Sequence, residues 1–345
     1  MQKIPLRLPK NDLEFNEKVK TANSSIVEEL KKLKVVLSTY TNPSLSNEIE
    51  YIDALINLSI KPENSNLFFT SKLNSFEIKK IHIDETNNNN IDYTSDLKTL
   101  VTIDSKDLDE KPKSKIKTVK FYKILLGIFD YSKFKQIYYP ILQENELFIC
   151  VYCQAQNALY YKSKPESSTK LKWYYNLTLD HVSPKSKYPF LAININNLAP
   201  VCAHCNSRKN DKETNYNPYL DEFNYHFNFE ETIDNIDVTK INIEKLKLLK
   251  IDSSKNDLLN STLDLGGLYK HQSFIAQNLL DRYRKYSGVG YYKNIDGVFG
   301  KVSENELKNF ISDCNLSEDN TFKFPFVRFK ISLYNHFVSL ENKKR

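Results

Sequence analysis

Between Leu177 and Lys212 the chain crowds metal-binding and proton-transferring side chains into 36 residues. This segment, LTLDHVSPKSKYPFLAININNLAPVCAHCNSRKNDK, contains the pair Asp180-His181 and a C-x-x-C made by Cys202 and Cys205. The whole chain has six histidines and five cysteines. Such a concentration indicates a site that binds a metal or cleaves a substrate.

Four of the five cysteines form two C-x-x-C pairs, Cys150/Cys153 and Cys202/Cys205, separated by 48 residues. Two such pairs suit tetrahedral zinc, which thiolates bind at about 2.3 Å. A redox C-x-x-C is the rival interpretation, but the sequence has no βαβ pattern around either pair. We therefore predict a structural zinc held by four cysteines, with His204 as an alternative fourth ligand. The long gap indicates a functional insert between the pairs.

The insert and the second pair read as strand, loop, strand and helix, with the first strand ending at Asp180-His181. This order could bring Asp180, His181 and Asn206 to one point. Hydrolysis of a phosphodiester requires a base near neutral pH and a cation that stabilises the charge on the phosphate. Imidazole has the pKa for the base. A carboxylate and an amide carbonyl are hard oxygen ligands for Mg²⁺ or Mn²⁺.

Together these residues resemble the signature of the HNH endonucleases, a family with a ββα-metal core. The residues that carry the resemblance are Asp180, His181, Asn197, Leu198, Cys205, Asn206 and Lys209, framed by the two C-x-x-C pairs. It is specific over about 150–212. Over 213–340 the chain is more weakly similar to bacterial HNH proteins of phage-defence systems.

The resemblance implies a metal-dependent endonuclease, with DNA as the substrate and a 3′-hydroxyl and a 5′-phosphate as the products. It also implies that Asn197 braces the loop and orients His181. Asn206 stands where the older motif has histidine, which makes the catalytic metal site richer in oxygen. Two other functions stay open: a zinc-knuckle module that binds nucleic acid without cutting it, and a nuclease that is silent until a partner ATPase activates it.

The charge distribution also favours a nucleic-acid partner. The formal net charge is +6, and residues 171–212 hold much of the excess. A concentrated positive patch is typical of a surface that binds a polyanion, although a solvated face is the alternative. The candidates for contacts with backbone phosphates are Lys185, Lys187, Arg208 and Lys209.

Aromatic residues are frequent just before Asp180. Trp173 and the pairs Tyr160/Tyr161 and Tyr174/Tyr175 could stack on bases. We expect them instead to pack around the zinc knuckle.

Composition and periodicity predict an α+β protein that is mostly α, in which helical regions flank the small segment that resembles an HNH core. We divide the chain into a mainly helical region 1–145, the HNH core 146–230 and a helical region 231–345. In the first region, Ile26, Leu30, Leu33 and Val36 recur at helical spacing, with Ser24 or Ser25 as the expected N-cap. No stretch is apolar enough to span a membrane, and the start is not typical of a secretory signal, so we expect a cytoplasmic protein.

Overall fold

The computed structural model of the protein describes most of the chain. The described residues are 4, 13–40, 45–60, 67–70, 80–111, 115–131, 135–157, 160–163, 172–214, 216–221, 227–230, 247–251, 257–286, 302–317 and 322–342. Within these ranges the protein is mostly helical and its strands form four small antiparallel sheets. The predicted α+β class is confirmed. No helix in the described part of the chain is both long enough and apolar enough to cross a bilayer.

The N-terminal region combines helices with one three-stranded sheet of order β1-β3-β2. Its elements are α1 (Leu13–Ser38), α2 (Ser46–Ser59), α3 (Leu67–Thr70), β1 (Asn90–Asp92), α4 (Ser95–Leu100), β2 (Asp109–Glu110), β3 (Lys117–Lys120), α5 (Phe121–Ile128) and α6 (Lys135–Glu144).

The first predicted helix is confirmed, and it is longer than its apolar pattern indicated. Leu30, Leu33 and Leu37 are fully buried along one face of α1, as the three-to-four-residue spacing requires. The predicted N-cap is wrong, because α1 begins at Leu13 and the two serines at 24 and 25 lie inside it.

The middle of the chain forms two hairpins and a short helix. Its elements are β4 (Tyr160–Ser163), β5 (Lys172–Tyr175), β6 (Thr178–His181), β7 (Leu198–Val201) and α7 (Ala203–Lys209). The expected order of strand, loop, strand and helix is therefore confirmed for β6, β7 and α7. The two strands pair antiparallel, with Thr178 opposite Val201 and His181 opposite Leu198.

The rest of the chain, from residue 227 onward, returns to helices after one more pair of antiparallel strands. Its elements are β8 (Phe227–Glu230), β9 (Lys247–Ile251), α8 (Asp257–Leu263), α9 (Leu265–Lys270), α10 (Ser273–Tyr286), α11 (Glu304–Ser312) and α12 (Val327–Asn342). Helix α11 starts at a capping box, in which Ser303 and Glu306 each bond the other's backbone N–H.

The buried apolar residues form two clusters. The first, which we call the cysteine core, contains the four clustered cysteines, residues of β6 and β7, and residues of the C-terminal helices. The second, the N-terminal core, contains residues of α1, α2 and α5 together with residues 190–193 from the loop between β6 and β7. A hydrogen bond joins the two, because the Tyr138 hydroxyl of the cysteine core donates to the carbonyl of Ile193. The predicted domain boundaries at 145 and 230 stay a prediction.

Candidate active site and metal centre

The four cysteines of the two C-x-x-C pairs meet at one buried point. Cys150 and Cys153 lie in a tight turn after α6, and Cys202 and Cys205 lie at the start of α7. The four sulfur atoms lie within 4.8 Å of one another, and all four residues are buried. His204 is exposed on α7, so the donor set is four thiols. This arrangement fits a tetrahedral metal ion such as zinc.

Backbone hydrogen bonds shape each half of this centre. The N–H of Gln154, which has a positive φ of 52°, donates to the carbonyl of Cys150 at 2.9 Å and closes the first turn. Val151 donates to the carbonyl of Pro200 at 3.1 Å, which attaches the turn to the end of β7. The sulfur of Cys202 accepts the N–H of Cys205 and caps α7. A metal ion bound by the four cysteines would thus fasten the helix to the hairpin.

The electrostatics of the cysteine cluster favour a bound cation. Burial raises the pKa of the Cys150 thiol well above its usual value, whereas hydrogen bonds from the other three thiols lower the pKa of Cys202. Four thiolates in one buried space repel one another, so full ionisation needs a positive charge among them. The donor set therefore fits a divalent metal that thiolates prefer.

His181 ends β6, and its ring is fixed by the loop that follows. Its Nε2 lies 3.0 Å from the carbonyl oxygen of Ala192. A carbonyl oxygen only accepts hydrogen bonds, so Nε2 carries the ring proton and Nδ1 keeps its lone pair. The ring of Tyr131 packs edge-on against the imidazole, with the centroids 6.0 Å apart. The geometry selects one tautomer.

The charge state of His181 also suits a base. Burial, and to a smaller extent the positive charges of Lys185 and Lys209, lower the pKa of His181 to about 4, while the contact with Ala192 acts in the opposite direction. At neutral pH the imidazole is therefore uncharged, which is the form that accepts a proton.

Asn197 is hydrogen-bonded to the backbone of the loop between β6 and β7. It is fully buried, and its Oδ1 accepts the N–H of Ser183 at 2.7 Å. Its Nδ2 donates to the carbonyls of Ser183 at 3.1 Å and Leu191 at 3.0 Å. One side chain thereby joins both ends of the loop, next to the carbonyl that orients His181.

Asp180 is embedded in a buried polar cluster. Its Oδ2 accepts the hydroxyl of Tyr152 at 2.7 Å and lies 3.0 Å from the ammonium of Lys209. Burial raises the pKa of Asp180, and the Lys209 charge and the Tyr152 hydroxyl oppose that rise. A carboxylate has about four lone-pair positions. The cluster therefore leaves part of the carboxylate available to a cation, with its negative charge already compensated in part.

A contact with a backbone phosphate requires a side chain at the surface, and Lys209 does not lie there. It is fully buried, and its ammonium donates to the carbonyl of His181 at 2.7 Å as well as pairing with Asp180. The other three basic candidates are accessible. Lys185 and Arg208 are exposed, and Lys187 is half-buried and pairs with Glu213 at 3.2 Å.

A pocket of about 670 Å³ brings the chemical groups together. Asp180, His181 and Asn206 all line it, and Lys185 and Tyr131 are at its walls. Asn206 is half-buried on α7, one turn from Asn210, which lines the same pocket. The pocket therefore brings a carboxylate, an imidazole and an amide to the edge of one open space.

Residues 150–212, which contain the cysteine centre, the β6–β7 hairpin and α7, match the family model of the HNH endonuclease. This segment is an HNH domain. Its presence supports a function on nucleic acid. No curated protein and no solved structure matches the chain.

Sequence reasoning missed three groups that surround the HNH site. Tyr152 lies between two cysteines whose spacing already accounted for the motif. Tyr131 belongs to the N-terminal region, far from His181 in the sequence. The carbonyl of Ala192 carries no side-chain signal. The burial of Lys209 did have a signal, because Lys209 follows the buried Cys205 by four residues on α7 and so shares its face.

Proposed function

We propose that the protein is a metal-dependent endonuclease that hydrolyses phosphodiester bonds, with DNA as its substrate and His181 as the base. The observation that carries the proposal is the hydrogen bond from Nε2 of His181 to the carbonyl of Ala192. It leaves Nδ1 as a proton acceptor on a neutral ring that lines a pocket shared with Asp180 and Asn206. A zinc knuckle that binds nucleic acid without cutting it does not require a neutral histidine whose Nδ1 can accept a proton.

In the proposed reaction, Nδ1 of His181 takes a proton from a water molecule that attacks the phosphorus atom. The bond between phosphorus and the 3′ oxygen breaks, and the leaving 3′ oxygen takes a proton from solvent, which gives a 3′-hydroxyl and a 5′-phosphate. Asp180 and Asn206 are the residues that would hold Mg²⁺ or Mn²⁺, and such an ion would supply positive charge for the phosphate and the leaving oxygen. The carboxylate and the amide are oxygen donors of the kind that these ions prefer.

The supporting residues fix the base and the substrate. Asn197 keeps the acceptor carbonyl of Ala192 in place, so it orients the ring without contacting substrate. Lys185, Lys187 and Arg208 bind backbone phosphates, which positions the strand without reading its sequence. Lys185 is well placed for this role, because it lines the catalytic pocket and an adjoining pocket of about 810 Å³ that the N-terminal region completes.

Zinc is the metal we propose for the four-cysteine centre, where it has a structural role. Its four thiolates leave no open position for a substrate, which separates it from the catalytic ion.

The test is nicking of a supercoiled plasmid in Mg²⁺ by the purified chain. His181→Ala should lower the cleavage rate about 10²- to 10⁴-fold, the usual contribution of a general base, and should leave DNA binding intact. The matched control is His204→Ala, because His204 is exposed on α7 and outside the pocket. Chelation should stop cleavage, and added Mg²⁺ should restore it. Nicking by His181→Ala at the parental rate would show that His181 is not the base. Binding of DNA without any Mg²⁺-dependent nicking by the parent chain would instead support the non-catalytic alternative.

The resemblance to phage-defence HNH proteins motivates a more specific proposal. In it, the protein is a cytoplasmic effector of an anti-phage system and is activated by a partner ATPase. Full-rate cleavage by the chain alone would contradict obligatory activation.

A further inference from the structure

The β4–β5 hairpin exposes two tyrosines that stack on each other. Tyr161 lies directly opposite Tyr174 in the antiparallel register, and their ring centroids are 5.3 Å apart with the planes only 14° from parallel. The exposed fractions are 58% for Tyr161 and 38% for Tyr174. The expectation that these two rings pack around the zinc knuckle is therefore wrong. The side chains of the other aromatic residues in the hairpin lie outside the described set.

Neither hydrophobic core includes Tyr161 or Tyr174. Single exposed apolar residues are ordinary and need no explanation. Among the large exposed apolar residues of the described chain, however, these two are the pair whose rings stack face to face. Each ring restricts the other, so the pair presents a flat and already ordered surface, and a ligand that stacks on it loses little side-chain entropy.

From this geometry we propose that the tyrosine pair is a stacking platform for unpaired bases of single-stranded nucleic acid, beside the cleavage site. The inference rests on the proposed nuclease function and adds the class of substrate. Base–aromatic stacking suits such a platform, because every base offers a π-face whatever its identity. A duplex covers those faces by its own stacking, so it cannot use the platform without unstacking a base.

The charge of the hairpin fits the same ligand. Residues 160–175 contain four lysines and one glutamate, a net charge of +3. Strand alternation places positions 161, 163, 172 and 174 on one face, so a lysine position shares the face of the two tyrosines. Basic groups around an aromatic platform are the usual combination in proteins that bind single strands.

The tyrosine pair is also close in sequence to a residue that lines the catalytic pocket. Thr178 lines the catalytic pocket and follows Tyr174 by four residues, a separation that extended chain spans with at most about 14 Å. When bases of a nucleic-acid strand stack on the tyrosines, the phosphate at His181 is therefore only a few nucleotides away along that strand. We expect the enzyme to prefer single strands, gaps or flaps near the cut.

The test is binding of two labelled ligands, an oligodeoxythymidine and a blunt-ended duplex without a loop, to zinc-loaded full-length His181→Ala protein. Tyr161→Ala, added to that background, should raise the Kd for the single strand about 5- to 150-fold, the loss expected for one base stack. The Kd for the duplex should stay the same. The salt dependence of single-strand binding should also stay the same, because no charge is removed.

Two controls separate stacking from other effects. Tyr161→Phe keeps the ring and should retain single-strand affinity. Phe274→Ala removes another exposed ring, on α10, and should change neither Kd. Because Tyr161 is exposed, the thermal melt and zinc content of the variants should match those of the parent.

An unchanged Kd for the single strand in Tyr161→Ala would overturn the platform, and so would an equal loss for both ligands. Neither result affects the nuclease proposal, which the plasmid assay with His181→Ala tests separately.

Discussion

The cysteine core contains the β6–β7 hairpin that carries His181, whereas the N-terminal core contains residues 190–193 of the loop between those two strands. The backbone of the proposed base is thus anchored in one core, and the carbonyl that fixes its tautomer is anchored in the other. The HNH segment does not position its own histidine unaided. The N-terminal region, for which the sequence offered no chemistry, supplies the packing beneath the loop and the ring of Tyr131.

The difference between the two cores lies in what stabilises them. The cysteine core has an extensive apolar interior that it shares with the C-terminal helices, but its ββα part is also joined by the four cysteines, where metal binding would contribute directly to folding. The N-terminal core depends on ordinary burial of residues such as Leu30 and Phe121. The two should therefore respond differently to loss of metal, to loss of an ion pair and to loss of apolar volume.

The largest expected effect is a loss of stability in the cysteine core that leaves the N-terminal core folded. Cys150→Ser removes one thiolate, and since structural zinc contributes about 10–16 kcal/mol to folding in zinc-finger peptides, the cysteine core should lose several kcal/mol. Hydrogen exchange should show lost protection in β6, β7 and α10, with α1 and α2 still protected. The control is Cys314→Ser, which lies outside the cluster. Simultaneous loss of protection everywhere would mean that the two cores unfold as one unit.

Removal of the buried ion pair should be the next largest effect. Lys209→Met leaves Asp180 buried without its partner and should cost about 3–5 kcal/mol in a denaturant titration. Arg208→Met, at an exposed position beside it, should be nearly neutral. Adding Asp180→Asn to Lys209→Met should recover part of the loss. A cost no larger than that of Arg208→Met would show that the pair is not structural.

The contact between the β6–β7 loop and the N-terminal core can be tested with two matched substitutions that each create a cavity in that core. Ile193→Ala and Ile91→Ala each empty a fully buried site and should cost about 2–5 kcal/mol. Only Ile193→Ala lies next to the carbonyl that holds His181, so only it should also slow plasmid nicking, by about 10- to 100-fold. Equal rates in the two variants would show that the N-terminal core does not position the base.

The smallest expected effect concerns the edge-to-face contact between the ring of Tyr131 and the imidazole of His181. Tyr131→Leu should weaken transition-state stabilisation by about 0.5–1.5 kcal/mol, the value of an edge-to-face contact. Tyr131→Phe keeps the ring and should nick at the parental rate. A rate in Tyr131→Phe as low as that in Tyr131→Leu would assign the effect to the hydroxyl instead.

Much of the HNH segment was predictable because its signals are local. The C-x-x-C spacing indicated the metal centre, and the short strands around Asp180 and Leu198 followed from alternation and from the polar residues that end them. The environment of Asp180 was not predictable, since its partner Tyr152 lies 28 residues away. The role of residues 190–193 was not predictable either, because an apolar run in a loop does not reveal which distant core receives it.

The hydrogen bond from His181 to Ala192 has a consequence for how the proposed nuclease could be controlled. Its two atoms lie 3.0 Å apart, and such bonds are lost beyond about 3.5 Å. A displacement of the N-terminal core by about half an ångström is therefore enough to free the imidazole to rotate or to exchange its proton between the two nitrogens. In the proposed mechanism, a change that displaces α1, α2 and α5 would therefore alter the rate of hydrolysis from a distance, with no contact to the scissile strand.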